Sequence, residues 1–319
     1  PLRLVGSEMC IRDRFKAISE RLYGVVFGVA AQIVEEGVCS MEDVDRGAKV
    51  GLRWARGPFE MMNRVGVQDA HRMASQYADL SAQTDQDRAW KVPEFFTKQA
   101  QQGHAWNFSY VDTSIESGVA TLTINRPEAM NALNETVVGQ LSEALDEVNA
   151  NDTVHTIVVD GAGKAFVAGA DVKFFVDKIR ADSIPDIVTF TADGHTMLDK
   201  LESSSKTTIA LTTGLALGGG LELALACDYR IGTRRTQFRF PETSIGIYPG
   251  LGGSQRPARI CGIPAARWAV LAGNFMDAQT GHDLGLLTHL VDVAAVDGCV
   301  ATLASTGKPG DKYPGRPTN

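Results

Sequence analysis

The spacing of apolar residues changes near residue 106, and this change constrains the possible fold more than any other feature of the sequence. Over residues 14–105, apolar side chains recur every three or four positions, which is the spacing of one helix face. Over residues 106–298, short apolar runs such as 119–124 and 207–212 alternate with helical patterns. That alternation is typical of α/β proteins. We therefore expect an all-α helical domain over 14–105 and an α/β domain over 106–298.

The helical domain carries both periodic stripes and capping signals. Its first stripe, for one face of a helix, consists of Phe15, Ile18, Leu22, Val25, Val26, Val29 and Ile33. Further along, Ser40 is a predicted N-cap, and Pro58 fits the first turn of a third helix, where its missing N–H costs nothing. Asp69 is the predicted cap of a fourth helix.

Both ends of the chain differ from the rest of it. Residues 1–13 lack helical or strand periodicity and look like a translated adapter sequence. We therefore treat them as a non-native leader and exclude them from fold reasoning. Residues 299–319 are rich in proline and glycine towards their end and are predicted to form an irregular tail.

Charge and cysteine content exclude several classes of protein. The chain has 31 Lys and Arg against 38 Asp and Glu, a net charge of −7, so no global basic field favours nucleic acid or an anionic membrane. Five cysteines without a CxxC pair indicate thiols in a reducing compartment, and we expect a cytoplasmic protein. No contiguous apolar run approaches the roughly 18 residues that span a bilayer. The histidines show no metal-binding spacing, so neither a nucleic-acid partner, a membrane partner nor a metal site is expected.

Three segments of the second domain, 166–173, 214–224 and 240–256, combine small residues with charged ones. In the second segment, three consecutive glycines lead into an apolar helix with Glu222 in its first turn. A helix start offers free N–H groups and a positive dipole end, and glycines let a ligand approach closely. Such a site suits an anion or a developing oxyanion. Tight helix packing, with Glu222 as a mere dipole partner, explains the same residues equally well.

The order and spacing of the three segments together resemble the crotonase (enoyl-CoA hydratase/isomerase) superfamily from about residue 118 to 292. The resemblance implies a spiral of ββα turns. It also implies that the backbone N–H groups of Ala170 and Gly219 form an oxyanion hole for a thioester oxygen as the substrate passes through an enolate. The implied contacts to coenzyme A lie around Ala168, Asp171 and Lys173.

The same resemblance gives roles to two glutamates. Glu222 would orient and activate a water molecule, Glu242 would exchange the proton at Cα, and Gly250 would leave room for the water. Two adjacent carboxyl groups can supply both proton transfers of hydration, and their proximity should raise one pKa. The sequence therefore predicts an enoyl-CoA hydratase. The alternatives are an enoyl-CoA isomerase that uses Glu242 alone, and a non-catalytic acyl-CoA-binding or assembly module.

The helical domain resembles the C-terminal domain of 3-hydroxyacyl-CoA dehydrogenases, through segments 35–39, 43–51 and 57–66. In that family this domain mediates dimerisation and closes over the substrate, and the NAD-binding sheet lies upstream. Because no strand–GxGxxG–helix unit occurs here, we expect no cofactor and no dehydrogenase activity, with NAD bound only in a missing upstream domain. The prediction is a fragment of a fused β-oxidation enzyme, with a C-terminally truncated crotonase domain that is homo-oligomeric in the full-length form.

Overall fold

The computed structural model describes residues 2–84 and 90–310 of the chain. It divides into two compact units, Pro1–Ser109 and Tyr110–Asn319. The first unit is helical. Its helices are α1 (Leu2–Glu35), α2 (Met41–Gly51), α3 (Pro58–Val65), α4 (Val67–Thr84) and α5 (Glu94–Gln102).

The boundary between the units falls a few residues later than predicted, because Trp106 belongs to the helical core. Its ring lies edge-on to that of Phe59, with centroids 5.2 Å apart. Its backbone N–H donates to the Asn63 side chain at 2.7 Å, and the Asn63 amide donates back to the Trp106 carbonyl at 2.9 Å. The expected division at 105/106 is therefore corrected to 109/110.

Helix α1 buries mainly small residues, and the predicted apolar stripe is partly exposed and partly half-buried. Phe15, Ile18 and Leu22 are exposed, whereas the buried face carries Phe27 and its small neighbours. A Cβ on Gly24 would lie 2.3 Å from the Met73 carbonyl oxygen, so this face allows α1 to approach α4 closely. Periodicity located the helix, but it did not identify the face that packs.

The same helix bears on two statements about the N-terminal region. It begins at Leu2, so the backbone of the segment treated as a leader is helical, since extending an existing helix is far easier than starting one. That residues 1–13 are non-native stays a prediction. In addition, Phe15–Glu35 is long and apolar enough to cross a membrane by length and composition, with a mean hydropathy of 1.3 over its best window.

Two of the three predicted helix starts hold. The Ser40 hydroxyl accepts the Asp43 N–H at 3.1 Å and caps α2, and Pro58 is the first residue of α3. The prediction for Asp69 is wrong. Helix α4 begins at Val67, so Asp69 lies inside its first turn. There its negative charge still stabilises the helix by interacting with the positive end of the helix dipole.

The second unit confirms the predicted α/β class. Its strands are β1 (Val111–Glu116), β2 (Val119–Ile124), β3 (Thr156–Gly161), β4 (Ala165–Ala168), β5 (Thr207–Thr212), β6 (Leu215–Leu217), β7 (Tyr229–Gly232), β8 (Gln237–Arg239), β9 (Met276–Asp277) and β10 (His289–Leu290). Its helices are α6 (Glu135–Ala150), α7 (Val172–Arg180), α8 (Ile184–Ser203), α9 (Gly219–Ala226), α10 (Arg256–Ala272), α11 (Ala278–Asp283) and α12 (Val296–Thr306).

The strands form two sheets. The larger has the order β1-β2-β3-β5-β7-β10 and is parallel except for the β1–β2 pair. The smaller has the order β4-β6-β8-β9, with β9 antiparallel to the other three strands. Helix α6 buries Val138, Leu141, Leu145 and Val148 on one face, and Asn134 caps it by accepting the Val137 N–H at 2.9 Å.

The predicted tail over 299–319 is wrong in its first part. Residues 299–306 belong to α12, which buries Val296 and Leu303 on one face. Leu303 packs in the same apolar cluster as Ile209 and Ile231 of the larger sheet. The proline and glycine residues that suggested an irregular tail begin only at Gly307, and residues 311–319 lie outside the described part of the chain.

Candidate active site

The smaller sheet brings the three predicted segments together. Ala168 at the end of β4 pairs with Leu217 at the end of β6, which in turn pairs with Arg239 at the end of β8. The first segment begins within β4, the second contains β6, and the third directly follows β8. The carboxyl ends of these parallel strands therefore present all three segments at one edge of the sheet, which is where open parallel sheets usually place their sites.

Two backbone amides lie close together at this edge. The Ala170 nitrogen is 3.7 Å from the point that a Cβ on Gly219 would occupy. Gly219 is the first residue of α9, so its N–H has no partner within the helix. Among the described residues, neither the Ala170 N–H nor the Gly219 N–H donates a hydrogen bond. Two free backbone donors at one edge of the sheet are candidates for stabilising negative charge on one oxygen atom.

Glu222 is held by the loop that precedes α10. Its side chain is 2% exposed, and Oε1 accepts the N–H of Leu251 at 2.7 Å and that of Gly253 at 2.6 Å. A Cβ on Gly253 would lie 2.9 Å from the same oxygen, so only glycine lets the backbone come this close. The other oxygen, Oε2, accepts no hydrogen bond from residues 2–84 or 90–310. One oxygen is therefore anchored and the other is free to act.

Glu242 approaches the glycine run from the opposite segment. It begins a short 3-10 turn, Glu242–Ile245, after β8. A Cβ on Gly218 would lie 2.3 Å from Glu242 Oε1, and the φ of Gly218 is +47°, so both sterics and backbone conformation require glycine there. Glu242 Oε2 is buried and has no hydrogen-bond partner in the described part of the chain. Burying a carboxyl oxygen without a hydrogen-bond partner costs folding free energy, so such a group is usually protonated or has a catalytic role.

Burial raises the pKa of both carboxyl groups, and the nearby charge of Glu242 adds to the shift of Glu222. Burial raises the pKa of Glu222 to about 7; the Gly253 N–H lowers it, the charge of Glu242 raises it, and the Leu251 N–H and Arg256 lower it. Burial also raises the pKa of Glu242. Because the charge of Glu242 is one of the causes that raise the pKa of Glu222 to about 7, Glu222 can exchange a proton near neutral pH. One carboxylate and one carboxylic acid side by side form an acid–base pair.

The residues expected to contact coenzyme A have other contacts in the structure. Asp171 caps α7 by accepting the Lys173 N–H at 3.1 Å, and its other oxygen accepts from Arg126 at 2.9 Å. Lys173 is exposed and Ala168 is half-buried. Their part in coenzyme A binding stays a prediction. Within the described ranges, no group of three or more His, Cys, Asp or Glu side chains could hold a metal ion.

Sequence reasoning singled out Gly250 but missed the residues that hold Glu222. Space adjoins Gly250, because a Cβ there would meet only the Tyr248 carbonyl oxygen, at 3.9 Å. The contacts to Glu222 come instead from Leu251 and Gly253. A donated backbone N–H has no residue-type signature. The usable signal was the paired glycines at 252 and 253, which indicate a close approach of backbone to another group.

Two family descriptions match the chain. "Enoyl-CoA hydratase/isomerase" matches residues 119–313, and "3-hydroxyacyl-CoA dehydrogenase, C-terminal domain" matches residues 18–106. The probable enoyl-CoA hydratase echA8 of Mycobacterium tuberculosis is 40% identical over 173 residues, which cover 54% of this chain and 65% of that protein. The crotonyl-CoA hydratase of Syntrophomonas wolfei is 37% identical over 177 residues, covering 55% of this chain and 66% of the relative. The chain thus spans just under two thirds of the length of these two relatives.

A solved structure agrees with the sequence matches. The enoyl-CoA hydratase from Bacillus anthracis superposes with a TM-score of 0.58 at 29% identity. The superposition covers 62% of this chain and 76% of that one. The ββα spiral expected of the second unit is therefore confirmed, and the family match over residues 119–313 contains all three segments of the site.

Proposed function

Because the chain belongs to the enoyl-CoA hydratase/isomerase family, we propose that it catalyses the reversible addition of water to a 2-enoyl-CoA, giving a 3-hydroxyacyl-CoA. The observation that carries the proposal is the grouping of two free backbone N–H groups with two buried carboxyl groups at one sheet edge. Hydration needs all four, since it requires an oxyanion site, a base for water and an acid for carbon.

The geometry supports the following division of labour. The Glu222 carboxylate takes a proton from water as the water oxygen bonds to C3 of the enoyl group. The electron pair of the double bond moves towards the thioester, and the enolate oxygen accepts hydrogen bonds from Ala170 and Gly219. Glu242 then donates its proton to C2, which gives the 3-hydroxyacyl-CoA. Anchoring Glu222 through Oε1 supports its role as the base, because that leaves Oε2 for the water.

The proposal extends to the setting of the reaction. We propose an acyl-CoA substrate, no cofactor for the hydration itself, a cytoplasmic location and homo-oligomers of the full-length protein. The Ala168, Asp171 and Lys173 region is proposed to meet coenzyme A, because it lies beside the oxyanion residue Ala170 at the start of α7. The helical unit belongs to the dehydrogenase C-terminal type, and we propose that it contributes no dehydrogenase activity by itself.

The decisive experiment is the loss of the conjugated-thioester absorbance of crotonyl-CoA on addition of purified protein, with identification of the product. Formation of 3-hydroxybutyryl-CoA supports the proposal. Conversion between 2-enoyl and 3-enoyl thioesters without hydration would instead identify an isomerase that relies on Glu242. Saturable binding of crotonyl-CoA without any turnover would identify a non-catalytic binding module.

A matched pair of glycine variants shows whether the oxyanion site is used. In Gly219→Ala the new Cβ makes only ordinary contacts, the nearest at 3.4 Å to Leu133, yet it fills the space beside the Ala170 N–H. We expect a folded protein whose hydration is reduced about 100-fold, the cost of losing one oxyanion donor. Gly139→Ala is the control, because nothing lies within 4 Å of its Cβ on α6. Equal activity of the two variants would contradict the assigned oxyanion hole.

A further inference from the structure

The loop that anchors Glu222 is itself held by a buried arginine. Arg256, at the start of α10, is 6% exposed. Its Nη1 donates to the Leu251 carbonyl at 2.7 Å, and the N–H of Leu251 donates to Glu222. Leu251 therefore connects the Arg256 guanidinium to the Glu222 carboxyl group through its own backbone.

The rest of the guanidinium is fixed by α8. Nε and Nη2 of Arg256 donate to one oxygen of Glu202, at 3.1 and 2.7 Å, and Asp199 lies 3.9 Å from Nη2. The planar fork is thus oriented by a carboxylate before it meets the Leu251 carbonyl. A lysine has a single nitrogen and could not occupy all of these positions at once.

The loop is also shaped to admit this side chain. Gly252 has a φ of +98°, and a Cβ on it would lie 2.3 Å from Arg256 Nη1. Gly253 must likewise be glycine because a Cβ there would lie 2.7 Å from both Phe240 and Pro249 and 2.9 Å from Glu222 Oε1. The paired glycines therefore serve opposite neighbours: Gly252 makes room for the arginine, and Gly253 makes room for the carboxyl group.

We propose that Arg256 is a positioning residue for Glu222: by holding the Leu251 carbonyl, it directs the N–H groups of Leu251 and Gly253 at Oε1 and keeps Oε2 aimed at the reacting water. The catalytic consequence rests on the proposed hydration. The geometric claim, that Arg256 sets the environment of the Glu222 carboxyl group, does not depend on that reaction.

The sign of the effect follows from the groups that face Glu222. Glu242 faces it from the turn after β8, Arg256 faces it from α10, and Glu202 and Asp199 face Arg256 from α8. Burial raises the pKa of Glu222, whereas the two loop N–H groups and the charge of Arg256 lower it. Removing Arg256 therefore takes away stabilisation of the ionised form, and the pKa of Glu222 should rise further.

Two substitutions separate the charge of Arg256 from its geometry. Arg256→Lys keeps the charge but loses the fork; Arg256→Gln loses both. Because a small misplacement of a reacting group is costly, we expect kcat of Arg256→Lys to fall about tenfold to a hundredfold, with KM changed less than about threefold. The acid limb of the pH–rate profile should move to higher pH, and further in Arg256→Gln, by about one unit.

Arg230→Lys is the matched control. Arg230 is also buried, but its Nε and Nη1 donate at 2.9 Å to the carbonyls of Leu286 and Cys227, away from the Glu222 loop. Loss of a buried arginine should cost stability in both proteins. Only the Arg256 variants should change kcat per folded molecule and move the acid limb. If Arg230→Lys changed kcat and the acid limb by the same amounts as the Arg256 variants, the role of Arg256 would be structural only.

Infrared titration of the carboxyl C=O stretch tests the geometry without any turnover. The Glu222 band is identified by its loss in Glu222→Gln, and its midpoint is then compared in the parent protein, Arg256→Lys and Arg256→Gln. A midpoint raised in the folded Arg256 variants supports the proposal, and an unchanged midpoint overturns it. If Arg256→Gln does not fold, Arg256→Lys decides. If the parent protein does not hydrate crotonyl-CoA, the proposed function fails. The titration then still tests whether Arg256 sets the environment of the Glu222 carboxyl group.

Discussion

Each unit of the molecule contains a buried carboxyl group that accepts two backbone N–H groups, but the two groups use their oxygens differently. In the helical unit, Asp45 accepts the Phe59 N–H through Oδ1 at 2.8 Å and the Glu60 N–H through Oδ2 at 2.9 Å. In the second unit, Glu222 takes both of its N–H donors on Oε1. Asp45 has each oxygen occupied and caps α3, whereas Glu222 keeps one oxygen free.

The comparison shows that neither burial nor a raised pKa identifies a working carboxyl group. Both side chains are 2% exposed. Burial raises the pKa of Asp45 to about 6 and that of Glu222 to about 7. What distinguishes the second unit is unused hydrogen-bonding capacity beside a second carboxyl group, since Glu242 Oε2 has no partner among the described residues either. Such groups are candidates for catalysis because the folded structure leaves part of their hydrogen-bonding capacity unused.

The largest expected effect comes from removing the acid–base function at the site. Glu222→Gln and Glu242→Gln should each reduce crotonyl-CoA hydration about 100-fold or more, because each removes one of the two proton transfers. Glutamine keeps an oxygen that can accept the N–H groups of Leu251 and Gly253, so the fold should survive. Steady-state kinetics on both variants, with binding of the CoA ester measured by calorimetry, would check this.

The two glutamate variants also test the assignment against the isomerase alternative. Binding of the CoA ester should be retained in both, which shows that the chemical step has been lost rather than the site. If Glu222→Gln kept the full hydration rate and Glu242→Gln did not, the two-carboxylate mechanism would be wrong. Glu242 alone would then carry the proton.

The pH dependence should separate activity from stability at the same group. Glu222 must be ionised to accept a proton from water, so hydration should fall about tenfold for each pH unit below its pKa of about 7. Folded-state stability should change in the opposite direction. A carboxyl group whose pKa is raised above its ordinary value of 4.5 favours folding while protonated, and this contribution is lost as pH rises to about 7. A hydration rate that stayed constant between pH 5 and 7 would exclude Glu222 as the base.

The family resemblance pointed to the main groups of the candidate site because each lies in a short segment with its own local signal. The glycine run, the turn at Ala170 and the Phe240–Glu242 segment each follow a strand, and parallel strands of one sheet end at one edge. The holding groups could not be found in this way. The N–H groups of Leu251 and Gly253 belong to the backbone, and the role of Arg256 depends on a carbonyl contact that no side-chain pattern records.

The helical unit shows the opposite limit of sequence reasoning. Its stripe from Phe15 onwards marked a helix correctly, yet Phe15 and Leu22 are exposed and the face carrying Gly24 and Phe27 packs. Hydrophobic periodicity favours the face with the larger apolar residues, whereas close packing of two helices can favour the face with the smaller ones. Helix α12 was missed for a different reason: the proline and glycine residues after 306 dominated the composition of the whole segment.

The smallest expected effect on catalysis comes from Asp45, and it completes the comparison. Asp45→Ala leaves the Phe59 and Glu60 N–H groups without their acceptor, so the helical unit should lose about 1–2 kcal/mol of unfolding free energy, as for a lost N-cap.

Because the pKa of Asp45 is raised from 3.8 to about 6, the parent protein is stabilised by the protonated form of Asp45, and this stabilisation is lost as pH rises through 6. The variant should therefore be penalised more at pH 5 than at pH 8 in denaturant titrations followed by tryptophan fluorescence. Hydration per folded molecule should stay within about twofold of the parent rate, since Asp45 belongs to the helical unit and is not among the residues of the candidate site. A loss as steep as that in Glu222→Gln would mean that a free carboxyl oxygen is not what separates the two groups.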